Sequence, residues 1–305
     1  MNAAIELEAL SKYYGPVVGV EGLSLRVEPG EVFGFVGSNG PGKTTTIRML
    51  LDLLRPSSGR ARVLGFDCHT QSLEVRRRVG YLPGEMPIYP DLTGAEYLDH
   101  LARVGGSPAP HAHLQRLLER FEVSALDLRR VLREQSQGMK RKFGILQALM
   151  ADAPVLILDE PTSGLDPLMI QAFCDVLNEL RREGRKTVFL SSHILSEVEK
   201  TCDRVGLIRR GKLAAVAAIE QVRAELPRRV SVLFSEPVTS AFADDPQARL
   251  VERAERRWVF EVRQPLGALL QRLQGLPLHD LEVETLGLED YLLRLYAADG
   301  PGAAA

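Results

Sequence analysis

Over the first thirty residues, apolar and polar positions alternate with a period of two. Ile5 and Leu7, then Leu23, Leu25 and Val27, mark one side, with turn punctuation at Gly15-Pro16 and Pro29-Gly30, so short strands are expected there. Val32–Val36 is a compact apolar run that ends in a glycine-rich loop, and residues 44–54 then switch to a helical period. Strand, loop and helix in that order open an α/β unit. Residues 93–132 read as mostly helical around a Ser107-Pro108-Ala109-Pro110 loop, and Thr93 and Glu96 stand at capping-box spacing. Two further buried strands are expected at residues 155–158 and 187–190, with a helix over 167–182 between them, which makes the sheet mainly parallel.

The texture changes after Gly211. Strands are expected at residues 230–234, 258–262 and 281–283, with helices at 266–273 and 288–297. The chain therefore divides into a large domain over 1–220, a small α+β accessory domain over 221–297 and a flexible tail over 298–305.

Bulk properties narrow the class. A length of 305 residues holds one large domain and one small one, and 45% hydrophobic with 26% charged residues is an ordinary globular balance. The formal net charge of −2 supplies no general attraction to nucleic acid or anionic lipid. The run Arg76, Arg77, Arg78 reads as a solvated helix face. Cys68, Cys174 and Cys202 form no CxxC pair and no disulfide framework, which points to a reducing compartment. The N-terminus lacks the pattern of a secretory signal. The most apolar stretch, residues 143–158, is interrupted by Gln147, Asp152 and Pro154, so no spanning helix is expected.

The chemistry is concentrated in two places. Gly37-Ser38-Asn39-Gly40-Pro41-Gly42-Lys43-Thr44 satisfies GxxxxGK[ST] between an expected strand and an expected helix. Glycines let backbone N–H groups wrap a phosphate, Lys43 reaches the β- and γ-phosphates, and Thr44 offers a hydroxyl to Mg²⁺. The second place is the end of the strand at 155–158. There Asp159 is suited to the Mg²⁺ shell and Glu160 to orienting and polarising the attacking water.

At this point the sequence resembles the ABC ATPases. Asp159-Glu160-Pro161-Thr162-Ser163-Gly164-Leu165-Asp166 looks like their DEPTSGLD run, and Gln135-Ser136-Gln137-Gly138-Met139 resembles a divergent LSGGQ signature. Ser191-Ser192-His193 resembles the switch-histidine loop. The likeness covers residues from about 4 to 220, with the motifs in family order. It implies a P-loop (RecA-like) ABC ATPase core with an N-terminal antiparallel β subdomain and a helical subdomain at about 86–150, plus the small C-terminal α+β domain.

The resemblance also implies residue roles. Tyr14 would stack on adenine, and Thr45 would join residues 37–44 in the nucleotide site. Ser136 and Gly138 would touch the γ-phosphate of ATP held by a second copy, Asp166 would couple the two sites, and His193 would contact the γ-phosphate and steady Glu160. The catalytic set is then Glu160, His193 and Lys43.

Two departures stand out. The family usually has a glutamine in GYxPQ, whereas Gly80-Tyr81-Leu82-Pro83-Gly84-Glu85 puts a glycine there. Glycine cannot ligate a metal, so Glu85 or a water takes its place, and Glu85 is assigned the role because it is adjacent. The signature also has Gln135, Gln137 and Met139 where the family has Leu, Gly and Gln; the charges of Lys140, Arg141 and Lys142 that follow read as solvated.

SQGMKRK and the closing Leu288-Glu289-Asp290-Tyr291-Leu292-Leu293 resemble the drug, antibiotic and polysaccharide exporter branch. That branch implies ATP and Mg²⁺ as ligands, a head-to-tail pair of copies, and an integral membrane permease docked near Met86, Ile88, Tyr89 and Leu92. It also implies a place on the cytoplasmic face of the membrane and no nucleic-acid partner. The rival reading is a soluble ABC ATPase acting on ribosomes or DNA. Its translation-factor members carry two phosphate loops and its repair members a long coiled coil, and neither feature is present. A non-hydrolysing binding module is disfavoured by the joint presence of Lys43, Asp159, Glu160 and His193.

Overall fold

The computed structural model describes residues 3–37, 40, 42–86, 89–105, 111–238, 248–263 and 266–291. Ser38, Asn39, Pro41, Ile88, the 107–110 loop, Leu292, Leu293 and the 298–305 tail lie outside the described residues.

The chain opens with β1 (Ile5–Tyr14) and β2 (Val17–Val27), a hairpin turned at Gly15, whose φ is 59°. The strands are longer than the alternation suggests. Positive φ at Ala9 and Gly22 inserts irregularities that bend the strands without ending them. β3 (Val32–Val36) leads through the phosphate loop into α1 (Gly42–Leu50). That helix stops before residue 54, because Asp52 adopts φ 53° and the N–H groups of Leu53 and Leu54 both turn back to the carbonyl of Arg48. β4 (Ser58–Val63) and β5 (Phe66–Asp67) complete a four-stranded sheet ordered β2-β1-β4-β5. After α2 (Ser72–Arg76) the chain returns to the core as β6 (Val79–Leu82).

Helices follow: α3 (Gly94–Val104), α4 (His111–Arg120), α5 (Ala125–Arg129) and α6 (Gln137–Met150). The capping box forms as its spacing requires, with Thr93 Oγ1 accepting from the Glu96 N–H and Glu96 accepting from the Thr93 N–H at 2.9 Å. Next come β7 (Val155–Asp159), α7 (Pro167–Glu183), β8 (Thr187–Ser192), α8 (Leu195–Thr201), β9 (Arg204–Arg209) and β10 (Lys212–Ala218). They build a six-stranded sheet ordered β10-β9-β3-β8-β7-β6, in which β9, β3, β8, β7 and β6 are parallel neighbours. β3 and β7 are buried at every position, as strands covered on both faces must be.

The chain forms two compact units, Met1–Ala217 and Ala218–Ala305. In the second unit α9 (Ile219–Glu225) precedes an antiparallel sheet of β11 (Arg228–Phe234), β12 (Ala248–Arg253), β13 (Arg257–Val262) and β14 (Leu278–Thr285), ordered β12-β13-β11-β14. β12 has no counterpart in the sequence reading. It is an edge strand with mostly exposed, charged positions, so it carries little apolar periodicity. α10 (Gly267–Leu273) buries Leu269 and Leu273 in a core built on Trp258, Phe260, Phe234 and Val232. Residues 288–291 begin a helical turn.

Candidate functional site

The site grows from the C-terminal ends of three adjacent parallel strands, where an open α/β sheet places its ligands. β3 ends in the phosphate loop, β7 ends at Asp159 and β8 ends just before His193. Gly37 must be glycine here for a packing reason as well. A Cβ there would lie 2.4 Å from the carbonyl oxygen of Ile208, so the loop backbone rests directly on β9.

Lys43 is 4% exposed and donates to the Gly37 carbonyl at 2.7 Å, while its ammonium lies 3.5 Å from Glu160 Oε1. The other oxygen of that carboxylate, Oε2, lies 2.6 Å from His193 Nδ1. Glu160 is thus bracketed by Lys43 on one side and His193 on the other. Its backbone is held at φ 48°, a left-handed conformation that costs a non-glycine residue about 1 kcal/mol or more. That conformation swings the carboxylate out of the strand line toward Lys43.

Asp159 is 1% exposed. Its Oδ1 accepts from the Ser191 hydroxyl at 2.5 Å, and Ser191 Oγ accepts in turn from the Glu160 N–H at 3.1 Å. The register of β7 and β8 pairs Asp159 with Ser191 and so fixes this triad. Asp159 Oδ2 has no hydrogen-bond partner. A buried, unpartnered carboxylate oxygen beside a threonine hydroxyl and a phosphate loop fits Mg²⁺, a hard cation that takes one or two protein oxygens and leaves the rest to phosphate and water. Among the described residues no group of three or more His, Cys, Asp or Glu side chains could hold a metal alone. Thr44, Glu85, Asp159 and Gln147 line one cleft of about 570 Å³. Glu85 is exposed at its rim, and Gly84 lies against Asp159, where a Cβ would sit 3.2 Å from Oδ2.

The remaining expected residues are distributed as follows. Tyr14 is 42% exposed, and its hydroxyl is 3.2 Å from Thr45 Oγ1, which ties the first hairpin to α1. Ser136 caps α6 by accepting from the Met139 N–H at 3.1 Å. A Cβ on Gly138 would lie 3.1 Å from the Gly164 carbonyl, so the signature turn approaches the run after Glu160 within this one chain. Asp166 caps α7 through Met169, with Pro167 at the first turn. Tyr89 is exposed, with its ring tilted against Tyr97 and edge-to-face with His100, while Leu92 is half-buried. Met86 instead packs onto Gly144 of α6.

One expectation is overturned. Arg141 and Lys142 are buried, not solvated, at 4% and 9% exposure. Arg141 escapes the usual cost of a buried cation because its guanidinium donates to the carbonyls of Pro83, Gly84, Asp159, Glu160 and Pro161. Burial pushes its pKa down to about 10, against the pull of the nearby Asp159 and Glu160 carboxylates, which leaves it charged at neutral pH. The Ser191 hydroxyl and the cleft-lining Gln147 also escape a motif reading, because each acts through a partner remote in sequence. The three cysteines are free and buried, and burial raises the Cys68 and Cys202 thiols to about 12, so neither is a thiolate nucleophile.

With this geometry in place, likeness to known proteins is informative. The family model described as ABC transporter matches residues 20–163. The chain is 39% identical over 215 residues to the bacitracin transport ATP-binding protein of Bacillus licheniformis, covering 70% of this chain and 69% of that protein. It is 38% identical over 305 residues to the Nod factor export ATP-binding protein I of Paraburkholderia xenovorans, covering 96% and 97% of the two chains. Among solved structures, an ATP-binding subunit of an ABC transporter superposes with a TM-score of 0.65 at 31% identity, covering 72% of this chain and 92% of that one. A dimeric cassette in a post-hydrolysis state, bound to ADP and Pi, superposes with a TM-score of 0.64 over 70% of this chain and 98% of its own; at 19% identity it speaks for the fold alone. The chain belongs to the ABC transporter ATP-binding proteins and is an ATP-binding, ATP-hydrolysing subunit of such a transporter.

Proposed function

We propose that two copies of this chain sandwich ATP head to tail and use Mg²⁺-dependent hydrolysis to drive a separate membrane permease that exports its substrate. The observation that carries the reading is the Glu160 carboxylate, held between Lys43 and His193 above the phosphate loop. Phosphoryl transfer to water demands positioning and charge stabilisation more than covalent chemistry, and this arrangement supplies both.

In this reading Lys43 leaves Glu160 for the β- and γ-phosphates, and Thr45 and residues 37–44 cradle them. Thr44 and the free oxygen of Asp159 hold Mg²⁺, which when bound neutralises phosphate charge. Glu160 orients the attacking water and draws on its proton, and His193 keeps the carboxylate aimed while reaching the γ-phosphate. Tyr14 stacks on the adenine, and Glu85 serves the metal site from the rim where Gly84 has no side chain. Ser136 and Gly138, at the exposed start of α6, close over the nucleotide of the other copy, and Asp166 lies where the two sites communicate.

Among the described residues no helix is long and apolar enough to cross a membrane. In this reading the permease that spans the bilayer is another chain. Tyr89 and Leu92 offer the docking surface for it. The names of two relatives, one a Nod factor export and the other a bacitracin transport ATP-binding protein, support an exporter. In this reading the chain works at the cytoplasmic face of the membrane.

Glu160→Gln keeps the shape of the side chain and removes its basicity. It should leave ATP binding intact, lower kcat by about 10³-fold and trap an ATP-bound dimer visible by gel filtration. Turnover at the wild-type rate would overturn the assignment of Glu160. Fractionation of cells carrying the tagged chain tests the permease half, which a wholly soluble chain would sink.

A further inference from the structure

Arg141 is the least economical residue in the first unit. It sits on α6, five positions beyond the Ser136 cap, and makes no ion pair among the described residues. Removing a guanidinium from water is costly, and carbonyl oxygens repay that cost only when they converge on it. Here they do. Nε donates to Pro161 at 3.0 Å, Nη1 to Pro83 at 2.7 Å and Gly84 at 3.1 Å, and Nη2 to Asp159 at 2.7 Å and to Glu160.

Those acceptors belong to two loops. Pro83 and Gly84 follow β6; Asp159, Glu160 and Pro161 end β7. Gly84 has no side chain with which to address the site, yet its backbone lies against the Asp159 carboxylate. Glu160 is held in a left-handed conformation that needs a restraint from outside its own strand, and Arg141 grips its carbonyl. The fork geometry of guanidinium suits such a junction, and an ammonium lacks the donors and the reach to replace it.

We propose that Arg141 is a positioning residue for hydrolysis, one that locks the Glu160 turn and the Gly84 loop to the helix presenting Ser136 and Gly138. Seating the start of α6 on the nucleotide of a second copy then sets the aim of Glu160 through one rigid side chain. The backbone of the Gly84 loop, clamped by Arg141, carries the link that a loop side chain would otherwise make. The inference rests on the two-copy reading given above.

The test uses the full chain with ATP and Mg²⁺ and compares Arg141→Lys with Arg141→Met. Lys keeps the buried charge and loses the fork, whereas Met removes the charge and so relieves its desolvation. Both should lower kcat by roughly 10–100-fold, the scale of a misplaced catalytic group, while KM for ATP moves less than about threefold. ATP bound per chain should stay at the wild-type level. In a Glu160→Gln background, Arg141→Lys should still give the ATP-dependent dimer. A purely structural role predicts instead that kcat, bound ATP and melting temperature fall together, with Met and Lys differing as their stabilities differ. That pattern, or wild-type kcat in either variant, overturns the proposal. If Glu160→Gln alone never dimerises with ATP, the two-copy reading fails and this inference falls with it.

Discussion

The two compact units solve burial in opposite ways. Every buried polar or charged side chain among the described residues lies in the first unit, including Lys43, Arg141, Asp159 and Ser191. The buried side chains of the second unit are apolar, with Trp258 against Phe234 and Phe260 at ring distances of 5.0 and 6.2 Å. Burying polar groups costs stability unless each finds a partner, so a fold that places many of them at the ends of three strands is held to them by chemistry rather than by packing. Among its described residues the second unit carries no comparable cluster, and its core is an apolar one.

The largest effect that would sharpen this contrast is Trp258→Ala. Removing a fully buried indole should destabilise the second unit by about 3–5 kcal/mol, seen as a separate early transition in calorimetry. The ATPase rate of the first unit should stay within about twofold of wild type. A collapse of kcat would show that the second unit sustains catalysis and would break the comparison.

A smaller effect is expected at Ser191, which is fully buried and joins the Asp159 carboxylate to the backbone N–H of Glu160. Ser191→Ala leaves Asp159 Oδ1 without its donor, at about 1–3 kcal/mol. It should lower ATPase activity roughly 10-fold and raise the Mg²⁺ concentration needed for half-maximal rate. Unchanged Mg²⁺ dependence would reduce Ser191 to a strand residue.

The smallest effect belongs to a polar contact on the surface of the same unit. Glu179 accepts from both terminal nitrogens of Arg120 at 2.5 and 2.6 Å, linking α7 to α4. That pairing, more than any other influence, holds the Glu179 carboxyl below its ordinary value of 4.5. A depressed carboxyl contributes stability above the unfolded pKa and loses it as pH falls through the lower, folded one. Both side chains are more than a third exposed, so screening leaves at most about 0.5 kcal/mol. Melting temperatures of wild type and Glu179→Gln should therefore differ slightly at pH 7 and converge as the pH falls below 4.5. A large difference would show that exposed charge pairs matter here as much as buried ones.

Much of the first unit was legible because the strands that carry its site, β3 and β7, are short apolar runs bounded by glycine or acidic residues. Val32–Val36 and the helix begun by Asp166-Pro167 stand where period and capping chemistry put them. The capping box at Thr93 and Glu96 is local and therefore readable. β12 was not legible, since an exposed edge strand has no hydrophobic face to announce it. The early stop of α1 rests on one left-handed residue, Asp52, which no apolar period encodes.

By itself, the sequence determined which chemistry is present: a phosphate loop with Lys43 and Thr44, two carboxylates at a strand end, and a histidine after the next strand. Such motifs are contiguous, and their spacing carries their meaning. Only the tertiary structure decided that Glu160 sits between Lys43 and His193 and that Ser191 braces Asp159 from the neighbouring strand. It alone also turned Arg141 inward to five carbonyls, in a run of charges that reads as solvated. The reason is physical. Whether a charged side chain faces water or the core depends on which carbonyls converge on it, and those come from loops 18 to 58 residues away along the chain.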